Sequence, residues 1–252
     1  MAAASPEILV VNPNTTASMT AKIRRAAEGA AAPGTLITAV SPTAGPESIE
    51  GFYDEALSVP GLLAEIARGE GRGVAGHVIA CFDDTGLDAA RVLARAPVVG
   101  IGEAAFHLAS LVAGRFSVVT TLGRAIPAVE FNLLRYGLAT RCGRVRAAEI
   151  PVLALEARDG DATALIDAEI AAALRDDRAE AIVLGCAGMV DLAADLSARH
   201  GVPVIDGVTA AVALVEGLAR LGLVTSKRGG YAPPLPKRGG YSPCPGRDVS
   251  GA

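Results

Sequence analysis

Two cysteines, Cys81 and Cys186, follow similar apolar runs about a hundred residues apart in this chain of 252 residues. The runs are GHVIA at 76–80 and AIVLG at 181–185. Each is too short for a helix and gives way to small or polar residues, which is typical of a buried parallel strand. Catalytic groups and ligands collect at the carboxyl ends of such strands. The duplication therefore predicts one active site built from two halves of the chain.

Two thiols facing one substrate can act as an acid–base pair. A thiol has an ordinary pKa of about 8.5, and nearby helix N–H groups lower it. We therefore expect one of Cys81 and Cys186 to be thiolate and the other thiol, exchanging roles with the substrate's hand. The alternative is that both are ordinary buried small residues, as free cysteines often are. Their symmetric placement favours catalysis.

Strand-like runs alternate with alanine-rich helical segments along almost the whole chain. This alternation predicts an α/β protein with mainly parallel sheets. The two halves echo each other, so we predict two similar domains related by a pseudo-two-fold axis, with the active site in the cleft between them. The predicted first domain comprises residues 1–100 and 205–225, and the second comprises 101–204. The segment 203–221 is expected to cross back and complete the first domain.

Composition excludes several classes of partner. A formal charge of −4, only 4% aromatic residues and no Trp argue against a nucleic-acid-binding protein. No uninterrupted run of about eighteen apolar residues is present, and the amino terminus lacks a basic signal-peptide region. We predict a cytoplasmic protein with a small-molecule substrate, no membrane or nucleic-acid partner, and a homo-oligomeric assembly.

The four cysteines, at positions 81, 142, 186 and 244, match no zinc-ligand spacing. We therefore predict no metal site, and free thiols in a reducing compartment. Residues 226–252 form a Gly/Pro-rich tail with five basic residues and one acidic residue, in which KRGGY occurs twice, at 227–231 and 237–241. This composition predicts a flexible tail, and Cys244 within it is not expected to be catalytic.

Four segments together resemble the aspartate/glutamate racemase superfamily, and within it the hydantoin and allantoin racemase branch. They are ILVVNPNTT at 8–16, SPTAGPESIEG at 41–51, ACF at 80–82 and LGCAGM at 184–189. The resemblance runs in order through residues 7–225. It implies two α/β domains, no cofactor, and one cysteine from each domain on opposite faces of the substrate's chiral carbon.

Removing a proton next to a carbonyl creates an oxyanion that needs fixed hydrogen-bond donors. The candidate donors are the side chains of Asn12, Ser41, Thr120 and Thr121, and the backbone N–H groups of Phe82 and the turn Gly185 to Ala187. The resemblance implies that the four side chains line the pocket. Turn and cap chemistry is the alternative explanation for them.

The sequence after Cys81 departs from the Gly-Asp-Pro-Gly-like turn of hydantoin-type relatives and reads Asp83-Asp84-Thr85-Gly86. We expect Asp84 to cap the following helix and Asp83 to face solvent, because a carboxylate beside a thiol opposes thiolate formation. His77 and the other two histidines are predicted to be structural.

The substrate expected from these residues is a cyclic ureide such as a 5-substituted hydantoin or allantoin. A neutral ring suits amide and hydroxyl groups, whereas acidic amino acids need a cation, and Arg124 is the nearest one to the strand ends. An amino-acid racemase, a maleate-type cis–trans isomerase and a malonate decarboxylase on the same scaffold are alternatives. A further alternative is a non-catalytic ligand-binding protein.

Overall fold

The computed structural model describes residues 5–156 and 160–235, with backbone alone at 160 and 161. Within these residues, eight strands alternate with eight α-helices. The strands are β1 Glu7–Val11, β2 Leu36–Val40, β3 Gly76–Ile79, β4 Val98–Gly100, β5 Phe116–Thr120, β6 Cys142–Ala147, β7 Ala181–Gly185 and β8 Val204–Asp206. The helices are α1 Ala17–Ala30, α2 Phe52–Arg72, α3 Leu87–Leu93, α4 Ile101–Val112, α5 Ile126–Arg135, α6 Gly160–Asp176, α7 Ala193–His200 and α8 Gly207–Arg220.

The strands form two four-stranded parallel sheets, ordered β2-β1-β3-β4 and β6-β5-β7-β8. The second order is the first with every strand number raised by four, so the halves repeat one topology. The predicted α/β class with two similar parallel sheets is confirmed. The inner strands β1, β3, β5 and β7 are almost entirely buried, which explains their continuous apolar runs.

The last strand and the last helix belong to different halves. Strand β8 pairs with β7 and therefore lies in the second sheet, so this strand does not cross back to the first half as expected for the segment 203–221. Helix α8 does return to the first sheet, where it packs on β3 and β4, while α4 packs on β7 and β8. A methyl group on Gly76 of β3 would lie 2.4 Å from Cγ2 of Val215, so this packing requires glycine. The boundaries proposed for the two domains remain a prediction.

One continuous core joins the two halves. It contains Val10 of the first sheet, Val118 of the second and Phe106 of α4, all fully buried. The ring of Phe106 contacts Phe82 edge-on, with the ring centres 5.3 Å apart, and stacks on Phe116 at 6.1 Å. The aromatic ring that follows Cys81 therefore anchors that turn to the shared core. Among the described residues, no helix is long and apolar enough to span a bilayer.

The described part of the tail lies along α3. Lys227 donates through Nζ to the backbone oxygens of Arg91 and Val92, at 2.6 and 3.0 Å. Tyr231 donates from its hydroxyl to Asp88 at 3.0 Å. The Lys227 contacts lie at the carboxyl end of α3, where cations are favourable, and the Tyr231 contact lies in its first turn. The first KRGGY copy therefore contacts a partner helix that composition did not indicate, and the flexibility of the tail remains a prediction. The second copy and Cys244 lie outside the described residues.

Candidate active site

The two cysteines lie at equivalent strand ends of the two sheets. In the first sheet Val11 of β1 pairs with Ile79 of β3, which places Asn12 beside the turn that carries Cys81. In the second sheet Thr120 of β5 pairs with Gly185 of β7, immediately before Cys186. The two ends face one cavity. Its lining includes Asn12, Cys81, Phe82, Asp83, Thr120, Thr121, Gly185, Cys186 and Ala187.

Every predicted site residue except Ser41 lines this cavity. Ser41 is not part of the lining, and its hydroxyl hydrogen-bonds that of Thr20. A larger groove between the 42–46 loop and α2 contains no cysteine. The chemistry therefore points to the smaller cavity.

Asn12 is held by its neighbours. Its Nδ2 donates to Oδ1 of Asn14 at 2.8 Å and to the Thr20 hydroxyl at 3.0 Å. Both amide hydrogens are thus used within the protein, so the side chain does not offer the free donor that the sequence suggested. Asn14 also lines the cavity and was not predicted. The repeated asparagine in NPN was the signal for it, since a buried amide needs polar partners.

Thr120 is also committed to a protein partner. Its hydroxyl donates to the backbone oxygen of Gly185 at 3.1 Å. In the described part of the chain, the backbone N–H groups of Phe82, Thr121 and Ala187 make no hydrogen bond to a protein acceptor. These three N–H groups are the better candidates for stabilising an oxyanion.

Gly185 allows β5 and β7 to approach closely at the cavity. A Cβ atom there would lie 2.8 Å from Cβ and 2.9 Å from Cα of Thr120, and strand backbone cannot move aside cheaply. We expect Gly185→Ala to lower the free energy of unfolding by about 1–3 kcal/mol, measured by urea denaturation. Gly71→Ala in α2 is the control, because nothing lies within 4 Å of its added methyl group and stability should not fall. Equal stability of the two variants would contradict the packing argument.

The turn that carries Cys81 is fixed by the second half of the chain. Asn132 of α5 donates from its amide to the backbone oxygen of Asp83 at 2.8 Å. Asp84 accepts hydrogen bonds from the N–H groups of Gly102 and Glu103, at 2.9 and 2.7 Å, and from the Tyr136 hydroxyl at 2.8 Å. Asp84 therefore caps α4 and not the following helix α3, contrary to expectation. The strand order brings α4 to it, and sequence distance hides that proximity.

Asp83 also differs from its prediction. Asp83 lines the cavity beside both cysteines and is half-buried, whereas we expected it to face solvent. Burial, together with the negative charges of Glu55 and Asp84, raises the pKa of Asp83 to about 7. The turn leaves Asp83 pointing inward because Asp84 is drawn toward α4.

Both thiols have a raised pKa. Burial raises the pKa of Cys186 to about 11, although it receives the N–H of Gly188 at 3.4 Å and lies near the positive charge of Lys22. Burial and the charge of Asp83 raise the pKa of Cys81 well above its ordinary value. The expected lowering is therefore wrong, because desolvation of the thiolate outweighs the few donors. The electrostatic environment favours a thiolate at Cys186 over one at Cys81.

Lys22 of α1 was not identified from the sequence. Its Nζ donates to the backbone oxygens of Leu155 and Gly188 at 3.2 Å each, and pairs with Glu156 at 3.1 Å. The ammonium group therefore links the first half to the turn after Cys186 and does not enter the cavity lining. Arg124 also stays outside that lining and packs on the backbone at Gly51.

The three histidines lie away from the cavity lining. His77 is fully buried and its Nε2 lies 2.9 Å from Glu70, while His200 contacts Asp167 at 3.0 Å. Nδ1 of His107 lies 2.8 Å from the backbone oxygen of Glu103. Within the described residues, no cluster of three or more His, Cys, Asp or Glu side chains is arranged to hold a metal ion.

Comparison with known proteins places this geometry in a family. The sequence pattern described as Asp/Glu/Hydantoin racemase matches residues 8–215. A hydantoin racemase of Rhizobium meliloti is 50% identical over 94% of this chain and 99% of its own length. A hydantoin racemase of Pseudomonas sp. (strain NS671) is 48% identical over 92% of this chain and 93% of its own.

The fold is similar to that of solved racemases. An allantoin racemase from Klebsiella pneumoniae is 52% identical and superposes with a TM-score of 0.91, covering 92% of this chain and 95% of that one. Its similarity extends over both sheets, since the match covers nearly the whole chain. The protein belongs to the Asp/Glu/Hydantoin racemase family.

Proposed function

We propose that the protein is a cofactor-independent racemase of cyclic ureides, such as 5-substituted hydantoins or allantoin. The observation that carries this proposal is the convergence of Cys81 and Cys186, from equivalent strand ends of two repeated sheets, on one cavity. The relatives described as hydantoin and allantoin racemases support the substrate class.

The two sulfurs supply the proton transfer. One thiolate takes the proton from the carbon next to the carbonyl, and the electron pair of the broken C–H bond moves onto the carbonyl oxygen. The opposite thiol then donates its proton to the other face of that carbon as the carbonyl re-forms. The configuration is inverted and the two cysteines have exchanged protonation states. Because the pKa of Cys186 is raised less than that of Cys81, we assign Cys186 as the thiol that ionises first.

The cavity disfavours the acidic substrates considered above. Its lining contains the carboxyl group of Asp83 and neither lysine nor arginine. Free glutamate and maleate would bring carboxylates next to Asp83 without a compensating cation, which costs free energy in a desolvated site. A neutral ureide ring avoids this cost.

Deuterium exchange tests the proposal. The protein is incubated in D2O with enantiomerically pure 5-benzylhydantoin, allantoin, L-glutamate or maleate, and optical rotation and proton NMR are followed beside protein-free controls. We expect protein-dependent loss of rotation with deuterium at the stereocentre of a ureide, and no reaction of the two acids. Turnover of glutamate without turnover of any ureide would overturn the substrate assignment. Binding of a ureide without exchange would indicate a non-catalytic protein.

The proposal includes a cytoplasmic location and a homo-oligomer. The three described cysteines, Cys81, Cys142 and Cys186, are free thiols, which suits a reducing compartment. Leu111, Phe131 and Leu134 expose apolar side chains on α4 and α5, as a subunit interface would. Light scattering after size-exclusion chromatography tests the assembly.

A further inference from the structure

One charged side chain of the cavity has no role in the two-cysteine chemistry. Asp83 lines the cavity together with both cysteines, and its negative charge raises the pKa of each of them. Among the described residues, none donates a hydrogen bond to its carboxylate oxygens, whereas those of the adjacent Asp84 receive three. The oxygens of Asp83 are therefore free to accept hydrogen bonds from a ligand.

The surroundings of Asp83 do not neutralise it. Glu55 from α2 and Asp84 from the same turn add negative charge. Oε1 of Glu55 is itself buried without a hydrogen-bond partner. The nearby ammonium of Lys22 is occupied by two carbonyl oxygens and Glu156. The half-buried carboxylate of Asp83 therefore has no donor among the described residues, and a ligand in the cavity that supplies an N–H group provides one.

We propose that Asp83 is a specificity-determining residue that accepts a hydrogen bond from a ring N–H of the substrate. This inference rests on the proposed function and names how the ureide is recognised. An ionised carboxyl group only accepts hydrogen bonds, and a ureide ring presents N–H donors beside its carbonyl groups. The bond orients the ring between Cys81 and Cys186, while the same charge repels substrates that carry a carboxylate.

Binding of unsubstituted hydantoin isolates this contact from turnover, because its C5 carries two hydrogens and proton exchange there gives no net reaction. Titration calorimetry at pH 8 compares wild type, Asp83→Ala and the matched control Asp191→Asn, which removes an exposed carboxylate near Cys186. We expect about tenfold to a hundredfold weaker binding to Asp83→Ala and unchanged binding to the control. If circular dichroism shows that Asp83→Ala is unfolded, Asp83→Asn replaces it in the comparison. We expect Asp83→Asn to bind hydantoin about tenfold more weakly than wild type.

Methylated ligands identify the hydrogen bond. Binding of 1-methylhydantoin and 3-methylhydantoin is measured with wild type and with the folded Asp83 variant. The methyl group that replaces the hydrogen-bonded N–H should weaken binding to wild type by about the same factor as the Asp83 substitution does. The same methyl group should weaken binding to the Asp83 variant far less, because the hydrogen bond is already lost there. Equal affinity of wild type and variant for hydantoin overturns the inference, as does an equal effect of both methyl groups on the two proteins. If wild type also fails to exchange deuterium into any ureide, the proposed function fails; if it exchanges normally, only the role of Asp83 fails.

Discussion

Replacing either Cys81 or Cys186 by serine is expected to lower the rate of ureide racemisation by about 10²–10⁴-fold. A hydroxyl group has far too high a pKa to provide a base, and each face of the substrate needs its own proton donor or acceptor. The rate is measured by polarimetry on each enantiomer separately. Each single variant is expected to retain deuterium exchange from one face only, because one base then lacks its opposing acid.

Cys142→Ser is the matched control for both substitutions. Cys142 begins β6 and pairs with Phe116 at the start of β5, so it lies at the opposite end of the second sheet from Cys186. Its replacement should leave racemisation and thermal stability close to those of wild type. A near wild-type rate in Cys81→Ser or Cys186→Ser would eliminate the two-cysteine mechanism, whatever the control does.

The kcat/KM for racemisation is expected to rise steeply with pH, by about a hundredfold from pH 6.5 to 8.5. This parameter reports the ionisation of free protein, and burial places the pKa of the Cys186 thiol at about 11. Below that pKa the thiolate fraction grows tenfold per pH unit. Asp83 ionises near pH 7 and then provides an acceptor for a substrate N–H group over the same range. The negative charges of Asp83 and Glu156 oppose ionisation of the Cys186 thiol, whereas the positive charge of Lys22 favours it.

The profile is measured below the range in which hydantoins ionise and racemise rapidly by themselves, with protein-free rates subtracted. Iodoacetamide alkylation of Cys186 in the Cys81→Ser variant should show the same steep rise, because alkylation also requires thiolate. A flat kcat/KM between pH 6.5 and 8.5 would mean that a thiolate is already present in the free protein. In that case burial would not be the dominant influence on the pKa of Cys186.

The secondary structure could be predicted closely from local pattern. The strand-like run at 181–185 is identical to β7, and the run at 76–80 differs from β3 by one residue. Local pattern failed where an element's place depends on distant partners. β8 has the short apolar pattern of any edge strand, and only its hydrogen bonds to β7 show that it belongs to the second sheet. The first KRGGY copy reads as tail because its partner, α3, is more than a hundred residues earlier.

The site was predictable in its parts but not in its electrostatics. The repeated strand-end pattern predicted that Cys81 and Cys186 converge, since parallel strands place their carboxyl ends at one edge. It could not show that the donors of Asn12 and Thr120 are used internally. Those bonds depend on Thr20 and Gly185, which approach only in the folded chain.

The sequence by itself determined the α/β class, the repeated halves and the two cysteines, because hydrophobic periodicity and strand-end chemistry are local properties. The tertiary structure alone decided the ionisation of the thiols and the direction of Asp83. Both depend on burial and on charges from distant segments: α4 captures Asp84 and leaves Asp83 in the cavity. Desolvation is a property of the assembled fold, so no stretch of sequence could have revealed it.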